Sequence, residues 1–252
     1  MHTSADNPLM REETAIREPA QPDTLDRRWV QIGGAAGIFA CLLLLSAGFV
    51  ANNTLSSNAS TAQITHYLSS NRSGILTQTL LDVAGSALSL WFGATLARLI
   101  HARDRHSPLG LIVLVAAAGM TAIASFDGLT LTALEFLSRQ GGLTDPSVIR
   151  TFYDLQNGII MPGAFGFVAA VFLTSLGAAM VRGVFAAPWV GWLSLVFAAL
   201  SLVSGILGLT TSSGGTSPLG YFPAIGFVLI GLISSIFMLR TPARVVGRAR
   251  DR

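Results

Sequence analysis

The chain has 252 residues, of which 51% are hydrophobic and 12% are charged, and its formal net charge is +3. Soluble domains carry roughly 25% charged residues, so this chain has too little polar surface to cover a globule in water. The isoelectric point near 9.7 does not indicate nucleic-acid binding, because the arginines lie at the edges of apolar runs and in the tails, as membrane orientation requires.

Residues 1–28 mix both charge signs with three prolines and show no apolar periodicity, which predicts a disordered tail. The apolar run that begins at Trp29 is too long for the core of a signal peptide, so we predict a retained membrane span. All 16 basic residues are arginine. Together with the abundant Ala, Gly, Leu and Val, this composition indicates a GC-rich bacterial gene.

Six stretches have the length and hydrophobicity of a membrane span, which needs about 20 mainly apolar residues in helical form. They are 29–50, 76–100, 109–126, 159–181, 189–210 and 219–239. None alternates with the period of two that a spanning strand needs. The sequence therefore predicts an all-α membrane domain over 29–239 with about six transmembrane helices, followed by a basic tail at 240–252.

Two connections are long enough to hold short interfacial helices. In the first, apolar residues at helical spacing predict a helix over Thr61–Ser70. In the second, 127–158, Asp145 and Pro146 have the order of an N-cap residue and a proline at the first helical position. The apolar face of this second helix would consist of Val148, Ile149, Phe152 and Leu155.

Arginine counts predict the orientation. With the N-terminus inside, the inner segments hold thirteen arginines and the outer segments three. This positive-inside bias predicts a multi-pass protein of the plasma (inner) membrane with both termini in the cytoplasm. Arg240, Arg244 and Arg248 are spaced by four residues and could bind anionic lipid headgroups. A plain positive-inside anchor is the favoured interpretation of that stripe.

Asp82 breaks the apolar pattern inside the second span. An ionisable residue at the centre of a membrane helix costs about 2.5–3.5 kcal/mol on insertion scales and is a functional hypothesis by default. It shares a helix face with four small residues, Gly85, Ser86, Ser89 and Gly93. Asp82, Ser86 and Ser89 therefore form the candidate polar site, for a proton or a cation. The favoured alternative is a structural hydrogen bond, or a carboxylate that reaches the outer headgroups.

Small residues recur every four positions in two spans, which predicts close helix packing. The second span carries Gly85, Ser89, Gly93 and Ala97, and the fourth carries Gly166, Ala170, Thr174 and Ala178. We assign Gly85, Gly93, Gly166 and Ala170 to helix packing and to no ligand.

No motif indicates a metal, a cofactor or a catalytic nucleophile. A haem held by two histidines needs both to face each other inside the spans, whereas His66, His101 and His106 fall in loops. Cys41 is a single cysteine within the first span. We assign no catalytic residue, no metal ligand and no cofactor.

Two segments carry a resemblance to known sequences. Residues 62–76, AQITHYLSSNRSGIL, and 182–192, RGVFAAPWVGW, resemble patterns in multi-pass membrane proteins of actinobacteria and in the broader DUF4386-like group. The similarity covers residues 30–240, although two alanines precede Pro188 here and the tail is longer. The group has no assigned reaction, so the resemblance implies a six-span fold and no catalytic residue.

Three functions are compatible with the sequence. The leading hypothesis is a non-enzymatic structural, regulatory or partner-binding module that contacts a membrane protein or a second copy of itself. The alternative is a small proton- or cation-coupled transporter or channel that uses Asp82, with Asp127 or Glu135 at an outer vestibule. A membrane enzyme is third, because no cluster of titratable groups converges in any one span.

Overall fold

The computed structural model describes residues 27–50, 59–139, 145–210 and 218–240. None of these residues forms a strand, and nearly all are helical. The predicted all-helical fold is therefore confirmed. Most of both predicted tails lies outside the described residues, and so do Arg244 and Arg248.

Eight α-helices lie within the described residues. In chain order they are α1 (Arg27–Val50), α2 (Thr61–Ser70), α3 (Arg72–Arg103), α4 (Leu109–Arg139), α5 (Pro146–Asp154), α6 (Phe165–Val181), α7 (Pro188–Thr210) and α8 (Phe222–Arg240). A π-helical segment, Leu155–Ala164, joins α5 to α6, and a short 3-10 helix, Pro218–Tyr221, precedes α8.

Five of these helices, α1, α3, α4, α7 and α8, are long and apolar enough to cross a membrane. Lipid offers no hydrogen-bond partner to the main chain, so a spanning segment must pair its own N–H and C=O groups, as a helix does. Large apolar side chains, among them Phe39, Val115 and Val196, are exposed on these helices. Such a surface suits lipid, and we describe the chain as membrane-embedded.

The predicted span 159–181 has a composite form. α6 contains 17 residues, which extend about 25 Å at 1.5 Å per residue, less than the roughly 30 Å hydrocarbon core. The π-helical segment continues directly into α6 and supplies the missing length. Pro162, which has no main-chain N–H to donate, lies within this segment. A local change of helical pitch accommodates such a residue.

The long helices form a closed ring in which each packs against the next, in the order α1, α3, α4, α6, α7 and α8, which returns to α1. Consecutive helices run in opposite directions, so Arg27 and Arg240 lie at the same end of the ring. We call this the arginine-rich end, because Arg103 and Arg182 also lie there. The opposite end carries α2 and α5, and we call it the cap end.

Both short helices at the cap end begin with the local signals that favour a helix start. Ser60 accepts a hydrogen bond from the main-chain N–H of Gln63, whose side chain accepts one from the N–H of Ser60. The carboxylate of Asp145 accepts from the hydroxyl of Ser147 at 2.7 Å and from its N–H at 2.8 Å. These two bonds hold the pKa of Asp145 below its usual value, so its carboxylate remains ionised at the start of α5.

The two short helices pack together over a second apolar cluster, separate from the main core between the long helices. Ile149 and Tyr153 of α5 are buried there, while Phe152, which was also expected on the apolar face, is 41% exposed. Tyr153 lies four residues after Ile149 and shares its inward face, while Phe152 is rotated about 100° from Tyr153 around the helix and is exposed. The cluster also contains Ala59, Ile64, Leu68, Ile75, Leu131 and Leu134.

Helix α4 continues beyond Phe126, where the predicted span ends, to Arg139. Leu131 and Leu134 are buried in the cluster beneath the cap, and this burial stabilises the added turns. As a result, Asp127 and Glu135 lie on a helix that packs against α3, and not in a loop.

Small residues lie at several of the closest helix contacts. On α3, Gly85 lies against Leu44 of α1 and Gly93 against Ala117 of α4. On α6, Ala170 is buried, and Gly166 faces the main chain of α7 at Gly205 and Ser201. A larger side chain at Gly166 would therefore meet atoms that no rotamer change can move.

We expect Gly166→Ala to destabilise the protein. A Cβ atom at this position would lie 2.8 Å from the main-chain N of Gly205 and 2.9 Å from the main-chain O of Ser201. Forcing these helices apart should cost about 1–3 kcal/mol, which thermal unfolding in detergent would register as a lower melting temperature.

Gly48→Ala on α1 is the matched control. A Cβ atom there has no heavy atom within 4 Å, and alanine is the better helix former by about 1 kcal/mol. This variant should unfold at the wild-type temperature or above it. An unchanged melting temperature for Gly166→Ala would contradict the close approach of α6 and α7.

Candidate functional site

A line of polar contacts joins α3 to α4. The hydroxyl of Thr79 donates to the main-chain O of Gly128 at 2.9 Å, and it lies 2.8 Å from the hydroxyl of Thr132. Since Thr79 has one hydroxyl proton, Thr132 is the donor in the second bond. Further along, the hydroxyl of Thr121 donates to the main-chain O of Ser86 at 3.1 Å. We call these five residues the α3–α4 seam.

Asp82 lies on α3 beside the seam and is partly buried. Its carboxyl group hydrogen-bonds to the side chain of Gln78, one turn earlier on the same helix. Both side chains face a cavity inside the ring. Asp82 thus lies in the wall of a cavity and bonds within its own helix. The alternative role, a structural hydrogen bond or a carboxylate that reaches the outer headgroups, stays a prediction.

Asp127 lies on α4 and faces the same cavity. It is only 6% exposed, and it is near enough to Asp82 for the two groups to interact electrostatically. Its Oδ1 atom has no hydrogen-bond partner among the described residues. A buried carboxyl oxygen without a donor is unfavourable unless a proton, a water molecule or a ligand pairs with it.

The π-helical segment brings a third polar group to this place. Gln156 is buried, and its side-chain N–H donates to the main-chain O of Asp127 at 3.3 Å. The amide also hydrogen-bonds to the carboxyl group of Asp127. π-Helical turns often occur at functional sites because they shift side chains out of α-helical register. Here such a segment carries the partner of Asp127.

The cavity has a volume of about 780 Å³, within the range of roughly 300–1,000 Å³ that is usual for small-molecule sites. Its polar lining comes from α3 and α4, while α1 and α8 contribute mostly apolar side chains. The polar lining residues are Gln78, Asp82, Ser86, Ser89, Thr121 and Asp127. The cavity thus has a polar wall with two carboxyl groups and an apolar wall opposite it.

The structure brings the predicted polar site together. Asp82, Ser86 and Ser89 all line the cavity, and the hydroxyl of Ser89 donates to the main-chain O of Gly85 at 2.9 Å. Hydropathy alone predicts Asp127 in the connection 127–158, and no sequence pattern points to Gln156. The continued helical spacing of leucines after Asp127 is the signal that would have placed it on a helix.

Glu135 lies apart from the cavity, nearer the cap end. It is 3% exposed and forms an ion pair with Arg72 of α3 at 3.6 Å. Arg240 is exposed in the last turn of α8 at the arginine-rich end. Within the described residues, no group of three or more His, Cys, Asp or Glu side chains is placed to hold a metal ion.

Two carboxyl groups that interact in a membrane interior repel each other strongly when both are charged, because the effective dielectric constant there is low. A proton or a bound cation relieves this repulsion. The cavity can therefore hold a positive charge between or beside the two groups, in competition with protons.

No family model matches the chain, and no curated protein or solved structure is significantly similar to it. The resemblance to the DUF4386-like group therefore stays a prediction.

We expect Thr79→Val to weaken the α3–α4 contact. Valine has nearly the shape of threonine but cannot donate to Gly128 or accept from Thr132. With about 0.6 kcal/mol for an average hydrogen bond between membrane helices, loss of both should cost roughly 1 kcal/mol. Unfolding by increasing fractions of sodium dodecyl sulfate would measure this difference.

Thr65→Val on α2 serves as the control, because its exposed hydroxyl bonds only within its own helix, to Thr61. Its effect should remain within about 0.5 kcal/mol. If the two variants unfold alike, the seam does not stabilise the helix pair.

Proposed function

We propose that the protein binds a small cationic solute in the cavity and carries it across the membrane in exchange for protons. Asp82 and Asp127 bind the cation, and Gln78 and Gln156 orient their carboxyl groups. The observation that supports this function is the placement of two interacting carboxyl groups, from adjacent helices, in the wall of one cavity within a membrane-embedded ring.

Exchange follows from competition for a single site. A cation that binds the carboxyl pair displaces a proton from it, because the pair needs one compensating positive charge. When the site next loses the cation, it takes up a proton. The cation and the proton thus travel in opposite directions, and a gradient of one drives movement of the other.

The polar groups of the α3–α4 seam support an access path for protons. They continue from the cavity toward the cap end, where the Arg72–Glu135 ion pair lies on the same two helices. Intramembrane chains of polar groups in transporters commonly serve as proton paths.

The expectation of a non-enzymatic structural, regulatory or partner-binding module stays a prediction. Its partner, whether another membrane protein or a second copy, is likewise untested. This function differs from transport in a measurable way, since a passive module produces no solute flux and needs no carboxyl group in its interior.

Proteoliposomes that enclose a pH-sensitive dye would test transport. Tetraethylammonium, choline, spermidine and ethidium are added outside in turn, and proton movement in the opposite direction is recorded. We expect at least one cation to drive proton movement, and Asp82→Asn and Asp127→Asn each to reduce it about tenfold or more, the equivalent of losing roughly 1.4 kcal/mol of binding free energy.

Asp154→Asn provides the matched control, because this carboxylate is half exposed on α5 and pairs with Arg150 at the surface. It should transport as the wild type does. Absence of any carboxylate-dependent proton movement in correctly folded protein would count against transport and for a passive module.

We propose further that the membrane is a bacterial plasma membrane and that the arginine-rich end faces the cytoplasm. Arginine distribution supports this orientation: of the arginines on described segments, Arg72, Arg139 and Arg150 lie at the cap end and the others lie at the arginine-rich end. Arg240 is then placed to meet anionic headgroups, as we propose also for Arg244 and Arg248.

Labelling of single cysteines would test the orientation. Cys41 is the one native cysteine and is buried, so Cys41→Ser gives a background without accessible thiols. In intact cells, a membrane-impermeant maleimide should label Ser147→Cys at the cap end and leave His106→Cys unlabelled until the cells are opened. The reverse pattern would mean that the arginine-rich end faces outward.

A further inference from the structure

The helices α1 and α8 are close together in one half of the ring and line the cavity in the other. Toward the arginine-rich end, a Cβ atom at Gly34 would lie 3.0 Å from the main-chain O of Ser235, and one at Gly231 would lie 3.1 Å from Sγ of Cys41. The Cys41 thiol also donates to the main-chain O of Val228 at 3.6 Å. These contacts close the cavity in that half.

Toward the cap end, two large side chains that line the cavity from these helices are also more than half exposed. Phe49 of α1 is 73% exposed and Ile225 of α8 is 51% exposed. A side chain can both line a cavity and face outward only at its mouth. Among the described residues, the mouth therefore lies between the cap-end turns of α1 and α8, and its large exposed apolar side chains, Phe49 and Ile225, suit contact with lipid.

The cavity behind this mouth changes character with depth. At the mouth it is lined by apolar side chains, including Leu45, Phe49 and Ile225, with Tyr221 at its edge. On the far wall are the carboxyl groups of Asp82 and Asp127. The Oδ1 atom of Asp127 lacks a partner among the described residues, and the side chain is more than nine-tenths buried. Protein atoms enclose this oxygen, so a ligand in the cavity meets the carboxyl pair from the side of Asp82, which is only partly buried.

We propose that the ligand is a lipophilic amine with an alkyl chain, and that it enters from the lipid through the mouth between α1 and α8. Its ammonium group lies beside the carboxyl pair and supplies the one positive charge that a proton otherwise provides, while its chain lies along the apolar wall and extends through the mouth. This inference rests on the proposed function, because it names the class of cation that the carboxyl pair takes. The apolar wall and the apolar rim of the mouth match an alkyl chain, which favours a lipophilic amine over a cation without a chain.

Binding to protein in lipid nanodiscs would test the ligand class, with radiolabelled dodecylamine as the probe and empty nanodiscs as the blank. Methylamine has the same charged group without the chain, and dodecanol has the same chain without the charge. Dodecylamine should bind saturably, at least about tenfold more tightly than either. Asp127→Asn should remove most of that advantage over dodecanol, while Asp154→Asn should not.

A reversible block of the mouth separates the route from a folding defect. In the Cys41→Ser background, Ile225→Cys is modified with a bulky methanethiosulfonate reagent, and a reducing agent later removes the group from the same sample. Dodecylamine binding should fall about tenfold on modification and return on reduction. Ile236→Cys is the control, because Ile236 is 42% exposed on the same helix but does not line the cavity.

The outcomes distinguish the two proposals. If methylamine binds as tightly as dodecylamine, depends on Asp127 and is indifferent to the block at Ile225→Cys, then access from lipid is wrong while the cation site stands. If Asp82→Asn and Asp127→Asn each bind dodecylamine as tightly as the wild type does, the carboxyl pair does not bind the cation. Both proposals are then wrong.

Discussion

Polar groups inside a membrane must find their partners within the protein, because lipid offers none. One group of such partners lies where α3 meets α4. The hydroxyls of Thr79 and Thr132, the carbonyl of Gly128 and the Thr121–Ser86 bond satisfy one another across that contact. The two carboxyl groups lie beside this contact, so their position depends on the same pair of helices. The polar residues that line the cavity are thus carried by one pair of helices.

The opposite, apolar wall of the cavity comes mainly from α1 and α8. The contact of α1 with α8 depends on small residues, Gly34, Gly37 and Gly231, which allow the helices to approach closely in the arginine-rich half. Toward the cap end, Leu44, Leu45, Gly48 and Phe49 of α1 line the cavity instead. The contacts at the small residues therefore mark the half in which α1 and α8 close the ring.

Local features of the chain were predictable from sequence, and pairings between distant residues were not. The helix start at Asp145 and Pro146, and the limits of α2, depend on neighbouring residues and followed from them. The inward direction of Asp82 followed from its small neighbours on one helix face. The approach of Asp127 depends on two helices packing in one register, and that of Gln156 on a π-helical turn. Neither is encoded in hydrophobic periodicity, and the drop in hydropathy at Asp127 resembles the end of a span.

The π-helical segment connects the cap to the polar wall. It begins where α5 ends, and α5 is held by the apolar cluster with α2. It carries Gln156, whose amide bonds to Asp127, and it continues into α6, whose Gly166 packs on the main chain of α7. The segment thus joins the helix α5 of the cap end directly to the residue that hydrogen-bonds Asp127. Under the proposed function, this segment is the part of the ring through which the cap end can alter the hydrogen bonding of the carboxyl pair.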